Sequence, residues 1–179
     1  MRGEGERAQM FTAGELVVYG GEGVCRVEKI GPSAIPGADK TKLYYTLLPL
    51  YRTGQVLTPV DTRVLMRPVL SREEAQLLVE QLAQRELPQG PGNNPRAPKE
   101  YYQAEVTSYD CGRLTDLIRL LSCKRAHALH QGKKPGQMDE RYLKRAEDQL
   151  YGELGAALEL DRAAVADYIR RYHPAWPEV

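Results

Sequence analysis

Two hydrophobic periods divide the chain. Between residues 15 and 66 the apolar positions fall in short runs broken by turn residues: ELVVYG at 15–20, GVCRVEKIG at 23–31, LYYTLLPLY at 43–51 and QVLTPV at 55–60. Leu16 and Val18 alternate with Val17 and Tyr19, although clean period-two patterning is confined to short stretches. A fifth run, RVLM at 63–66, completes a set that favours a small antiparallel barrel, because closure removes edges that a small sheet cannot cover. At Ser71 the period changes. SREE supplies an N-cap serine with Glu74 three residues on, the reciprocal capping box, and a helix of roughly fifteen residues is expected to follow. Its apolar positions Ala75, Leu78, Val79 and Leu82 share one face, which would pack back on the barrel or bridge toward the next segment.

Residues 87–98 read LPQGPGNNPRAP, where four prolines and two glycines remove backbone donors and break regular structure. Beyond this linker the spacing is helical. A shorter helix is expected at 101–109, ending at Gly112. Leu114, Leu117, Ile118, Leu121, Ala128 and Leu129 keep three-four spacing, and Gly132 followed by Pro135 supplies a stop. A second long helix starts near Asp139 and carries Leu143, Ala146, Leu150, Leu154 and Leu158. Asp161 reads as the N-cap of a third, with Val165, Tyr168 and Ile169 facing inward. One apolar stripe per helix predicts a compact antiparallel bundle. The expected fold class is α+β: a small antiparallel Tudor-like or SH3-like barrel at 10–70, a helix at 71–86, the linker, a helical domain at 99–173 and a tail at 174–179.

The 179 residues suffice for one ordinary domain or two small ones, with 42% hydrophobic and 27% charged residues placing the chain among globular proteins. Cys25, Cys111 and Cys123 are odd in number and form no CxxC, which argues against a disulfide framework and for a reducing compartment. No apolar run reaches the roughly 20 residues that span a bilayer. Residues 1–9 are polar and lack the apolar middle of a secretory signal, so they read as a disordered leader, with Met10 a candidate natural start. These features lead to the expectation of a soluble, cytoplasmic, monomeric protein without membrane contact.

Little points to catalysis, and no cofactor is expected. Cys123, His127 and His130 stand at i, i+4 and i+7 on one helix, but structural zinc usually takes four ligands in paired spacings, so an ordinary solvated face is the stronger reading. Gly20, Gly21 and Gly23 are followed neither by a helix nor by a P-loop lysine, and read as a hairpin turn. The net charge of +1 excludes a uniformly basic coat. Yet from Leu117 to Met138 no acidic residue occurs, while Arg119, Lys124, Arg125, Lys133 and Lys134 accumulate, joined by Arg141, Lys144 and Arg145. Such a cluster can neutralise phosphates and give salt-sensitive, sequence-tolerant DNA binding; a solvated helix face explains the spacing equally well.

The segments FTAGELVVYGGEGVCRVEKIG at 11–31, LYYTLLPLYRTGQVLTPVDT at 43–62 and LMRPVLSREEAQLLVEQL at 65–82 resemble the RNA-polymerase-interacting domain of the CarD and CdnL family of bacterial transcription regulators, a module related to one in transcription-repair coupling factors. The opening FxxGxxVVYxxxGV, the TPVD turn and the MRPVLSREE junction carry the resemblance. CGRLTDLIRLL at 111–121, RYLKRAEDQLYGELGAAL at 141–158 and LDRAAVADYI at 160–169 resemble the family's helical domain.

The resemblance implies a barrel that docks on the polymerase β-subunit lobe through exposed strand backbone, and a helical domain that contacts promoter DNA at the upstream edge of the bubble and stabilises the open complex, including at ribosomal RNA promoters. The edge is placed within residues 45–57, with Tyr45, Leu47, Arg52, Gln55 and Leu57 as polymerase candidates; an internal strand pair is the alternative. DNA candidates are Arg96, Lys99, Tyr101, Tyr102, Arg119, Lys124, Arg125, Lys133 and Lys134. Two positions depart from the family pattern. The family's wedge tryptophan aligns with Pro98, leaving Tyr101 and Tyr102 as candidate substitutes or as core residues, and an arginine common in the barrel is Leu57. A protein-interaction adaptor that never touches nucleic acid is the competing function.

Overall fold

The computed structural model describes residues 11–91 and 97–177. The chain divides between Val69 and Leu70 into two compact units.

The first unit is a five-stranded antiparallel sheet. Strands β1 (Leu16–Tyr19), β2 (Gly23–Pro32), β3 (Leu43–Pro49), β4 (Val56–Pro59) and β5 (Met66–Pro68) pair in the order β4-β3-β2-β1-β5. Alternation puts Val17, Tyr19, Cys25, Val27, Tyr45 and Leu47 into one core with Phe11. Two buried hydroxyls lock it: the Phe11 amide donates to the Tyr45 hydroxyl at 3.0 Å, and the Tyr19 hydroxyl donates to Thr58 Oγ1 at 3.0 Å. The glycines between β1 and β2 form a hairpin, with Gly21 at φ 91° and Gly23 at φ 80°, left-handed values that glycine adopts without strain.

Two details differ from the sequence reading. The fifth strand lies at Met66–Pro68 rather than 63–66, because Gly20 N–H donates to Leu65 O and Val69 N–H to Leu16 O, which registers this segment on β1. The hydrogen-bond ladder also stops at β4 and at β5, with no pairing between those two strands among the described residues. The backbone pairing is that of a sheet with two edges.

The second unit is helical. Helix α1 (Arg72–Gln81) begins with the capping box anticipated at Ser71, the Glu74 amide donating to Ser71 Oγ at 3.1 Å and the Ser71 amide to Glu74 Oε2 at 2.7 Å. Such a cap contributes about 1 kcal/mol. Its buried residues Ala75 and Val79, with Leu82, join the core of this helical unit, where the sequence reading had packed the helix on the barrel or across to the linker. Helix α2 (Ala97–Ser108) starts four residues earlier than expected and takes Pro98 into its first turn, where proline's missing N–H is no loss. Left-handed Tyr109, φ 51°, ends it. Helix α3 (Cys111–His130) is capped by Asp110, whose carboxylate accepts from the Arg113 amide at 2.8 Å, so Cys111 and Gly112 are helical. Helix α4 (Gln137–Leu158) buries Leu143, Ala146, Leu150, Leu154 and Leu158 as the spacing required. Asp161 caps a short 3-10 turn that leads into α5 (Val165–Tyr172).

The segment read as a tail is part of the core. Trp176 is 2% exposed and its Nε1–H donates to the Tyr151 hydroxyl at 3.0 Å, while Arg170 Nη1 donates to Pro177 O at 2.9 Å.

Candidate functional site

The sheet has two edges, β4 and β5. On β4, Val60 N–H donates to Leu43 O at 3.0 Å, and Tyr45 pairs with Thr58 and Leu47 with Val56. In an antiparallel ladder the hydrogen-bonded direction alternates, so Val56 and Thr58 address β3 while the Leu57 N–H and C=O face away from it. Pro59, also facing away, has no N–H, and its C=O accepts from Thr62 N–H at 3.0 Å. On β5 the same alternation turns Met66 and Pro68 outward. Pro68 lacks a donor and its C=O accepts from the Arg67 guanidinium at 2.9 Å, while the preceding Val64 N–H donates to Thr62 Oγ1 at 3.2 Å. Prolines and inward-turned bonds blunt an edge. On β4 the outward backbone that such blunting leaves is that of Leu57, two residues after exposed Gln55, and an extended segment can pair there.

These facts sort the five candidates on the sheet. Tyr45 and Leu47, 1% and 0% exposed, belong to interior strand β3 and correct the edge assignment: within residues 45–57 only β4 lies at an edge. Their burial follows from pairing on both sides, which the strand pattern could not reveal. Arg52 and Gln55 are exposed in the β3–β4 connection, Arg52 at 3.6 Å from the Glu22 carboxylate. Leu57 is half-buried on the edge strand itself. On β2, burial, reinforced by the Glu22 charge, pushes the Cys25 thiol up to about 11.

In the helical unit the candidate cations divide into engaged and exposed. Lys124 Nζ lies 2.7 Å from Asp139 Oδ2 and donates to the Tyr102 hydroxyl at 2.8 Å, joining α2, α3 and the first turn of α4. Burial depresses this ammonium, but the bonds to Asp139 and Tyr102 outweigh it and hold its pKa above the ordinary lysine value. Arg119 Nη1 donates to Glu86 O at 3.3 Å and stands 4.0 Å from Asp116, with its side chain only 13% exposed. It fastens the segment after α1 onto α3, beside Arg85, whose guanidinium bonds both Asp116 oxygens and Gly112 O. Arg125 is half-buried. Lys133 and Lys134, in the α3–α4 turn, are exposed, Lys133 reaching only Gln131 Oε1 at 2.9 Å. Lys99 is exposed on α2. Arg96 lies outside the described residues.

The two tyrosines part company as well. Tyr102 is fully buried, stacked edge-on to Tyr101 at 6.1 Å and tilted against Tyr142 at 5.5 Å, so it cannot reach a base. Tyr101 is half-buried, and burial, then the Glu105 carboxylate, raises its phenol above the ordinary tyrosine value. Cys123, His127 and His130 are exposed on the last turns of α3, with His127 Nε2 at 2.8 Å from Gln131 Nε2. Among the described residues no group of three or more His, Cys, Asp and Glu side chains is arranged to hold a metal ion, and no helix is long and apolar enough to cross a membrane.

Sequence reasoning missed Asp139 as a partner, since it registered only as a helix start. It also missed Glu153, a charged residue on the apolar stripe of α4 that is 3% exposed. The signal was there in its position three residues after Leu150.

A small antiparallel sheet with two unpaired edges precedes a helical bundle. Residues 11–70 match the family model of the CarD-like/TRCF RID domain, so the likeness covers the sheet unit and not the helical one. No curated protein matches the chain.

Proposed function

We propose that the protein is a transcription regulator that binds the β-subunit lobe of RNA polymerase through its β module and promoter DNA, at the upstream edge of the bubble, through its helical unit, changing the lifetime of the open complex. The observation that carries this reading is the coincidence, within residues 11–70, of the polymerase-interacting family match with the outward backbone of Leu57 on β4. Main-chain pairing supplies affinity in such strand addition, and Arg52 and Gln55 stand beside it as polar contacts. The role is binding rather than catalysis.

Support for the DNA half comes from exposed Lys99, Lys133 and Lys134 and from the neighbouring Arg141 and Arg145 on α4, all sequence-tolerant phosphate partners. With Pro98 in a helical turn and Tyr102 buried, Tyr101 is the remaining candidate for stacking at a bubble edge. The engagement of Lys124 by Asp139 and of Arg119 by Asp116 thins the cationic face and is the one observation favouring the adaptor reading.

The test is open-complex lifetime on a ribosomal RNA promoter with and without the full chain, paired with capture of polymerase. Capture with a changed lifetime supports the regulator. Absence of capture removes the regulator, and capture without any change in lifetime, together with no salt-sensitive DNA binding, supports the adaptor.

A further inference from the structure

Three consecutive backbone amides at the end of the sheet unit and the start of the helical one are all engaged. Val69 N–H donates to Leu16 O on β1 at 3.3 Å, Leu70 N–H to Glu153 Oε1 on α4 at 3.1 Å, and Ser71 N–H to Glu74 Oε2 on α1 at 2.7 Å. Three consecutive amides thus serve a strand, a long helix and a helix cap. The middle one is unusual, because its acceptor is a carboxylate 3% exposed in the helical core. The same carboxylate accepts from the Cys111 thiol through Oε2 at 3.1 Å, so it also holds the first residue of α3. A charge is costly to bury and persists where its hydrogen bonds are fixed in number and direction. An apolar residue would continue the stripe of Leu150 and Leu154 at lower desolvation cost; what it could not do is accept a backbone N–H.

We infer that Glu153 is a positioning residue: it pins Leu70, the first residue of the helical unit, to α4 and to the start of α3. This rests on the regulator reading for its consequence, since a protein that holds polymerase through one unit and DNA through the other must transmit load through residues 69–71. A junction with a loose central amide would let both partners bind while weakening the effect of binding both.

The experiment uses the full-length chain with Glu153→Leu, which fills the site without an acceptor, and Glu153→Gln, which keeps an acceptor oxygen. The first readout, on the protein alone, is hydrogen exchange at the Leu70 amide. It is expected to rise about tenfold in E153L and about threefold in E153Q, as local opening loses its strongest restraint. The second is open-complex lifetime: the wild-type effect is expected to fall about fivefold in E153L while affinities for polymerase and for DNA, measured separately, each stay within about twofold, an uncoupling that general destabilisation would not produce. Unchanged Leu70 exchange overturns the inference. So does faster exchange with an unchanged lifetime effect, or a lifetime loss matched by the loss in affinity. A wild-type chain with no effect on lifetime sinks the regulator reading instead, and Leu70 exchange then decides alone whether Glu153 pins the junction. Should E153L fail to fold, E153Q carries the same two readouts, and wild-type values in both overturn the inference.

Discussion

The sheet and the bundle present their working groups in opposite ways. In the sheet, side chains that a surface scan would favour are buried, Tyr45 and Leu47 among them, and what is on offer is main chain: the N–H and C=O of Leu57 on β4. In the bundle the backbone is consumed by helices, and the proposed offer is exposed side-chain charge, at Lys99, Lys133 and Lys134. Their cores differ too, seven buried residues clustering in the sheet unit and a far larger set, extending to Trp176, in the bundle. A main-chain site is insensitive to alanine and vulnerable to proline, whereas a charge site is insensitive to shape and vulnerable to salt. The same logic separates engaged from exposed charge inside the bundle: Lys124 bonds across helices to Asp139 and Tyr102, and Lys133 is exposed in the α3–α4 turn.

The largest expected effect falls on the bundle alone. Trp176→Ala is expected to lower its stability by about 3 kcal/mol, because the indole fills a closed site and leaves a cavity, while the sheet keeps its own transition in calorimetry; a single shared transition would break the division into two units. Next comes the contrast between edges. Leu57→Pro removes an outward donor without touching the β3 ladder and is expected to weaken polymerase capture about thirtyfold, against less than about twofold for Met66→Pro on the blunted edge. Equal losses would show that edge backbone is not the docking element.

Lys133→Glu with Lys134→Glu is expected to cut DNA affinity about tenfold and to reduce the slope of log affinity against log salt by about 2, one phosphate per lysine. Lys124→Met instead is expected to cost about 1 kcal/mol of stability, discounted because its side chain is 45% exposed, with DNA affinity unchanged. If both variants lose DNA binding alike, the distinction between engaged and exposed cations fails. The smallest effect is invisible at neutral pH. Burial pushes the Tyr151 phenol up to about 12, with the Trp176 N–H opposing. The stability this neutral phenol contributes is complete below the ordinary tyrosine value and is lost as pH climbs through the raised one. Alkaline titration of the unfolding midpoint should therefore fall between pH 10 and about 12 in the wild type and flatten in Tyr151→Phe.

Much of this organisation was legible before any coordinates. Ser71 and Glu74 announced a capping box, the glycines after Tyr19 a hairpin, and the stripe from Leu143 to Leu158 a buried helix face, because each depends on neighbours within a few residues. The fifth strand was displaced because its position depends on β1, some 50 residues away, through bonds from Gly20 and Val69. The open edge was read too broadly, since a strand with period-two burial looks the same whether one or both of its sides are paired.

Sequence by itself determined which residues form strands and helices, where most of them begin, and through its motifs the kinship of residues 11–70, since these are written in local spacing. Only the tertiary structure decided which strand lies at the rim, which lysine is neutralised by Asp139, and that Trp176 and Glu153 belong to the core. Those outcomes are set by partners distant along the chain, and a side chain's availability is a property of what folds against it.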